Sequence, residues 1–444
     1  MVYVALISVS LVGMAIYDGR SERRSGLILY GVLCLMTALV AGLRFRLGMD
    51  TVFDEVMLRE DAFSSESKLM QLNSRFSPVY LVIVRIVRMF SQSMWPVQTV
   101  ISLWTGVSVF LFGYLNRREI GGRLFLYALL YLLLLYIPLN FESSRQGMAI
   151  GFFLFAWYNL RRGRYRVFIA LCICASLCHR FAIVTLLFAI CEAPWYVRMV
   201  SGRVSMAIAV AVATVSGFAV RYFIVDVLPG IVADYPYLSL FANSYSDYLQ
   251  TINLNWRGVA GVVIVTIIYP VLAELLLRRV NVAVQTAVLV VGVGIGLNLM
   301  LRVYFFLGLI CLLEVVRCVA FRRSMMAGYM WVMSFLPLVF VSVYRYTGRQ
   351  VWADGSLHRD YEYYWPYTSV FNPERDICRE LTCAGKFHYD NYHVVFLLGS
   401  SPDTGERLSD EEEYWIGVMK EKHPSAGEDE DAVEYYIREA MIVR

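Results

Sequence analysis

The sequence predicts an all-α polytopic membrane protein with about 12 transmembrane helices, between about 10 and 13, plus one interfacial helix. A small extramembrane tail follows at the C-terminal side. Three observations carry this expectation: an apolar, charge-poor composition, a succession of apolar runs, and arginine clusters that recur in alternate loops. The chain has 444 residues, of which 58% are hydrophobic and 17% charged. Soluble domains carry nearer to about 25% charged residues.

The apolar runs fall roughly at 2–17, 27–43, 97–115, 124–139, 146–160, 167–178, 181–193, 204–223, 258–277, 284–300, 303–316 and 327–343. A crossing needs roughly 20 apolar residues, or about 17 at the short end, so several of these are short. The two pairs flanking His179 and Arg302 can be read as tight hairpins or as single broken crossings. Arginines decide between them. Clusters at Arg20/Arg23/Arg24, Arg117/Arg118/Arg123, Arg161/Arg162/Arg164/Arg166, Arg198/Arg203, Arg278/Arg279 and Arg317/Arg322/Arg323 occupy every second loop only if both pairs are hairpins. Cytoplasmic loops are enriched in arginine and lysine, so the hairpin reading follows.

That topology puts both termini outside the cytoplasm, together with the loops 44–77 and 224–257. It also requires that 78–94 (PVYLVIVRIVRMFSQSM) does not cross; with Arg85 and Arg88 it suits a helix lying in the interface. The first run, from Met1 to Ile16, lacks a basic n-region and a small-residue cleavage site, and reads as a retained helix.

Charge divides the chain in two. Residues 1–344 hold 29 Arg/Lys against 16 Asp/Glu, and residues 345–444 hold 11 against 20. A polytopic membrane domain over 1–344 and an acidic, tyrosine-rich extramembrane region over 345–444 are therefore expected. Aromatic residues from Tyr344 to Tyr367 favour the headgroup layer. Within the tail, 392–399 reads as a strand and 410–422 and 430–442 as helices, which leaves open a small α+β appendage or a partly disordered segment.

The patterning excludes several function classes. Basic residues sit in short loops where membrane orientation accounts for them, so no nucleic-acid partner is expected. There is no GxxxxGK[ST] phosphate loop and no metal-ligand spacing, so neither a cofactor nor a metal is predicted. Cys172, Cys174 and Cys178 read as small apolar packing residues.

Charges among the apolar runs are more informative. A charge at bilayer depth costs at least ~2.5 kcal/mol, so it needs a partner, a wet cavity or a task. AGLRFRLGMDTVFDEV (41–56) places Arg44 and Arg46 two apart and Asp50 shortly after. Guanidinium forks match phosphate oxygens; the plainer alternative is snorkelling arginines paired with Asp50 and Asp54. NFESSRQGMAI (140–150) carries Glu142, Arg145 and Gln146 where an apolar helix begins, offering backbone N–H groups to an anion. The plainer alternative there is a helix-cap ion pair with Ser143 or Ser144 as N-cap. ASLCHRFAIV (175–184) holds His179, the sole histidine of the membrane domain, beside Arg180. LNLMLRVYFF (297–306) has Asn298, Arg302 and Tyr304 interrupting apolar sequence. All these groups lie on the same side in the arginine-based topology. Cations outnumber carboxylates there, which suits a diphosphate at the membrane surface. Chemistry outside the cytoplasm needs a pre-activated substrate, and a lipid-linked diphosphate is one.

At these residues the chain resembles the EpsG family of Wzy-like polysaccharide polymerases. The resemblance lies in GLRFRLGMDTVFD (42–54), FSPVYLVIVRIVRMF (76–90), SRQGMAIGFFLFAWYNLRRGRYR (144–166), LCHRFAIVTLLF (177–188), LNLMLRVYFFLGL (297–309) and YYWPYTSVF (363–371), in that order. It implies a Wzy-like, GT-C-like helical fold in the bacterial inner (cytoplasmic) membrane. It also implies transfer of repeat units from one polyprenyl-diphosphate-linked oligosaccharide to another, building capsule, exopolysaccharide or O-antigen. A chain-length regulator and a flippase of the same pathway are the protein partners it brings into view. Arg46, Asp50, Arg145, Gln146, His179 and Arg302 would then share one site. The expected catalytic groups are Glu142, His179 and Asp50; the expected substrate-binding groups are Arg44, Arg46, Arg145, Gln146, Arg180, Arg302 and Tyr304. A flippase for the same lipid-linked units and an O-antigen ligase-like transferase are the competing readings. The flippase is disfavoured by the one-sided charges and by the lack of an inverted repeat.

Overall fold

The computed structural model describes residues 2–19, 23–45, 47–48, 76–91, 94–195, 198, 203–235, 239, 242, 246, 300–320, 349–351, 357–359 and 367–372. The side chains of Glu142, Arg302 and Tyr304 are outside that description. The described chain is a helical bundle. Its helices are α1 (Val2–Tyr17), α2 (Arg24–Gly42), α3 (Pro78–Arg88), α4 (Trp95–Leu115), α5 (Leu124–Leu134), α6 (Ser144–Leu160), α7 (Tyr165–Cys178), α8 (Arg203–Tyr222) and α9 (Met300–Ala320). Three helices among the described residues are long and apolar enough to cross a membrane: Arg24–Gly42, Trp95–Leu115 and Ala211–Ile231. The last begins inside α8 and runs on through Phe223–Val227 and Leu228–Ile231, later than the 204–223 run read from hydropathy. The predicted spans 258–277, 284–300 (all but Met300) and 327–343 lie outside the described residues, as do the tail elements at 392–399, 410–422 and 430–442.

Burial sorts the helices. Nearly every side chain of α5 is buried, and in α6 Phe153, Leu154, Trp157 and Leu160 are too. Helices that are apolar all round belong at the centre of a bundle. Around them, α2, α4 and α7 leave Ile28, Val32 and Leu35, Val100, Val107 and Leu111, and Ile169, Ile173 and Leu177 exposed. Spacings of three, four and seven put each set on one helix face, which is the lipid-facing surface expected of a membrane bundle.

Close packing orients the pieces. α2 and α4 run antiparallel, with Tyr30 donating to the Phe110 carbonyl at 3.1 Å near one end and Thr99 donating to the Gly42 carbonyl at 3.0 Å near the other. A Cβ at Gly42 would lie 2.7 Å from the Thr99 Cα, so only glycine permits this approach. In the turn after α1, the Asp18 carboxylate accepts from the backbone N–H groups of Phe125 (3.0 Å) and Leu126 (2.9 Å), satisfying the first turn of α5. Burial pushes this carboxyl up to about 7, against the opposing pull of those two donors and of Arg123. Arg161 pairs with Glu119 at 2.7 Å, tying the α6–α7 loop to the α4–α5 loop at the same end.

The sequence predicts one helix over 124–139, but α5 stops at Leu134. Pro138 has no N–H to continue the ladder, and the chain widens into a π-helical turn, Pro138–Glu142. Asn140 locks the turn by donating to the Tyr136 carbonyl (3.0 Å) and the Tyr131 hydroxyl (2.6 Å). After α7, His179 is extended (φ −150°, ψ 110°), and a 3₁₀ helix, Arg180–Glu192, folds back. Its Phe188 lies 5.6 Å from the Trp157 ring and 5.1 Å from the Phe153 ring of α6.

α9 follows α6 in direction. Phe306 meets Phe153 at 5.9 Å, and Ala320 abuts Gly121 in the α4–α5 loop. Two short strands, β1 (Arg349–Val351) and β2 (Leu357–Arg359), pair antiparallel with Gln350 opposite His358. The segment 367–372 returns to the end of α2: Phe45 N–H donates to the Thr368 carbonyl and Val370 N–H to the Leu43 carbonyl, both at 3.0 Å.

Candidate functional site

The bundle has two ends. Asp18, the loops 116–123 and 161–164, and the C-terminus of α9 occupy one. The other holds the C-terminus of α2, residues 76–77 ahead of α3, the Pro138–Glu142 turn with the start of α6, the His179 hairpin, the start of α9 and segment 367–372. Arg44, Glu142, Arg145, Gln146, His179, Arg180, Arg302 and Tyr304 therefore have their backbones at the same end. Arg46 and Asp50 lie outside the described residues, although Arg46 is flanked by described positions in that loop.

Arg44 is 1% exposed. Its Nε donates to the Leu47 carbonyl at 2.9 Å, and its Nη1 donates to the Ala41 carbonyl in the last turn of α2. A cation there satisfies terminal carbonyls and sits at the negative end of the helix dipole. The guanidinium carbon also lies 5.0 Å from the centroid of Phe141, in the turn just before α6. Gly48 completes the contact. Its φ is +92°, and a Cβ would collide with the Phe141 carbonyl oxygen. Arg44 thus works at least partly as a brace between the α2 end and the α6 entry.

Segment 367–372 closes over the same loop. The Thr368 hydroxyl donates to the Phe45 carbonyl (2.9 Å) and the Tyr367 hydroxyl to the Val40 carbonyl (2.9 Å). The Tyr367 ring meets Tyr3 edge-on at 6.1 Å. Burial pushes the Tyr367 phenol up to about 12, with Arg44 opposing, so it stays a hydrogen-bond donor at neutral pH.

The second group centres on Arg145, in the first turn of α6. Its N-cap, Ser143, uses no side-chain bond; instead its carbonyl accepts from the Gly147 N–H at 2.8 Å. The Arg145 guanidinium lies 4.8 Å from the Phe76 centroid and 5.7 Å from the Tyr80 centroid. Those two rings stack at 5.7 Å with 23° between planes. Arg180 reaches the same residue from the His179 hairpin, donating from Nη2 to the Phe76 carbonyl at 3.2 Å. Gln146, next to Arg145, is buried.

Chemically this end offers guanidinium groups held against rings and carbonyls, a histidine at a hairpin tip and a carboxylate-bearing turn. Stacking occupies the flat face of a guanidinium and leaves its N–H groups in the plane, the geometry that grips phosphate oxygens. Sequence reasoning missed Phe76, Tyr80, Phe141 and Thr368 as part of this arrangement. Phe141 lies within the 140–150 motif, but Phe76, Tyr80 and Thr368 are distant in sequence from the charged motifs, and no local pattern marks any of the four.

No curated protein and no solved structure matches the chain. The sequence model of the EpsG family matches residues 27–368, a stretch that starts in α2 and ends at Thr368, the residue bonded back to Phe45. That match covers more than half of the sequence and includes every arginine-bearing segment at this end of the bundle. The chain belongs to the EpsG family, a family of Wzy-like polysaccharide polymerases.

Proposed function

We propose that the protein transfers glycan repeat units from one polyprenyl diphosphate to another at the outer face of the bacterial inner membrane, with both termini on that side. The family supports a polymerase of glycosyltransferase type; the donor, the compartment and the residue roles are the proposal. The observation that carries it is the grouping of the arginine-bearing motifs at one end of the helical body, with Arg145 and Arg180 both resting on Phe76.

In this reading an acceptor hydroxyl attacks the anomeric carbon of the donor glycan, and the bond to the diphosphate oxygen breaks. Arg46, Arg145, Arg180 and Arg302 hold the departing diphosphate and stabilise the charge it gains. Arg44, with two donors already on backbone carbonyls, fixes the loop that carries Arg46. Glu142 is the favoured proton acceptor, because it is the carboxylate nearest in sequence to Arg145; Asp50 and His179 are the alternatives. Gln146 and Tyr304 contact the glycan. Guanidinium groups supply the positive field, so the reading draws on no metal.

The test is the product size distribution in membranes. Arg145→Ala or His179→Ala is expected to leave the protein inserted and to yield single repeat units in place of long chains, a loss of about 10²-fold or more in polymer. Normal chain-length ladders from both variants would remove the site assignment. In a deletion strain, single repeats on the outer leaflet support the polymerase. Repeats retained on the inner leaflet point to a flippase, and finished but unattached polymer points to a ligase.

A further inference from the structure

We propose that Phe76 is a positioning residue of this site, its ring carrying Arg145 and its carbonyl anchoring Arg180. The inference rests on the diphosphate reading above and adds a residue to which that reading gave no part.

The local sequence explains why Phe76 can do this. Ser77 is extended (φ −82°, ψ 148°) and Pro78 opens α3 in its first turn, so the peptide ahead of the helix has little freedom. Phe76 is completely buried, and Ser77 is 7% exposed. One face of α3 turns inward with Tyr80, Leu81 and Val84, while Val82, Ile86, Met89 and Phe90 remain exposed on the other. Phe76 and Tyr80 are thus the inner end of an amphipathic helix whose outer face suits lipid. Their stacked rings form a platform beneath the Arg145 guanidinium.

This platform does two things. A ring within cation–π distance restrains the guanidinium and so helps to aim its donors. The Phe76 carbonyl restrains Arg180, which comes from a different hairpin. Two cations from separate segments are therefore indexed to one backbone position. A pre-aimed pair loses less side-chain entropy on gripping an anion than two mobile arginines would.

The experiment uses the full chain in lipid nanodiscs with farnesyl diphosphate as probe. Phe76→Leu keeps an apolar side chain and removes the ring; Phe76→Tyr restores the ring. Leu is expected to weaken farnesyl diphosphate binding by about five- to thirtyfold, the range of a partly to fully desolvated cation–π contact, and Tyr to return it to the wild-type value. In proteoliposomes loaded with the native lipid-linked repeat units, Phe76→Leu should raise KM and also lower kcat, because Arg145 and Arg180 are assigned both to hold the diphosphate and to stabilise the charge it gains as the bond breaks. Tyr80→Leu, which removes the farther of the two rings at Arg145 and leaves the Phe76 carbonyl for Arg180, should show a smaller shift in the same direction, and it keeps the idea testable if Phe76→Leu fails to fold. A wild-type affinity in Phe76→Leu, or an affinity that Tyr does not restore, overturns the inference by itself. A wild-type protein that fails to bind farnesyl diphosphate sinks the diphosphate reading, and this inference with it.

Discussion

Arginine lies at both ends of the bundle, and its partners differ between them. Away from the site, Arg162 covers the Tyr158 ring one turn back at 3.3 Å, Arg117 covers Tyr114, and Arg161 meets Glu119 with both side chains 35% exposed. The ring contacts there are made within one helix turn, and the ion pair is solvated. At the site end Arg44 lies on Phe141, and Arg145 and Arg180 meet at Phe76, so each contact joins segments far apart in sequence. Local ring contacts and a solvated ion pair, even one between residues 42 apart, organise a surface and suit charges retained for membrane orientation. Long-range contacts to buried rings and carbonyls organise a site, because each one spends tertiary structure on placing a cation.

The comparison is broken most severely by exchanging residue type while keeping charge. Arg145→Lys retains the positive charge but loses the planar fork and the ring stacking, and polymer yield should fall about tenfold or more. Arg161→Lys at the opposite end should leave the ladder unchanged and stability within about 0.5 kcal/mol, as exposed pairs do. Equal losses from both exchanges, read on the same gel, would show that the two ends do not differ in kind.

A smaller effect is expected from Gly48→Ala. A Cβ directed at the Phe141 carbonyl, on a backbone with φ +92°, should cost about 1–3 kcal/mol in the stability of the purified protein. Since the same loop is braced by Arg44, polymer yield should fall with it. A melting temperature equal to wild type would mean that the loop relaxes freely and that Arg44 braces nothing.

The smallest effect on polymer yield belongs to the far end. Asp18 has a folded pKa raised to about 7 from an ordinary 3.8, so the unfolded chain releases this proton first as pH rises. Its contribution is therefore fully present below about pH 4 and is lost as pH climbs to about 7. Wild type minus Asp18→Asn, compared as melting temperatures from pH 4 to 8, should decline across that window and level off above it. A flat difference would place the carboxylate in a well-solvated setting. The chain-length ladder should not follow this titration, which separates the two ends once more.

Much of the helical layout was legible before any coordinates. Runs such as 27–43 and 97–115 emerge as Arg24–Gly42 and Trp95–Leu115, because a long apolar stretch in a bilayer can satisfy its backbone only as a helix. Breaks were harder to read. Pro138 stood inside the predicted 124–139 helix, yet the π-helical turn it begins is held by Asn140, whose partners belong to the preceding turns. Arg302, read as the tip between two runs, has its backbone in the described helix Met300–Ala320, and the residues before Met300 lie outside the described ones. The charged residues of the site could be nominated from sequence because a charge among apolar residues is costly wherever it is put. Their aromatic supports could not, because Phe76 and Phe141 resemble any other core ring until the segments are folded together.

Sequence by itself determined that this is a membrane protein, where helices such as Arg24–Gly42 and Trp95–Leu115 lie and which polar residues need explaining, since those follow from transfer energies that act residue by residue. Tertiary structure alone decided that Arg145 and Arg180 share Phe76, that Arg44 leans on Phe141, and that residue 368 returns to residue 45. Those pairings depend on where loops end up after the helices pack, and no local pattern of apolar and charged residues encodes that position.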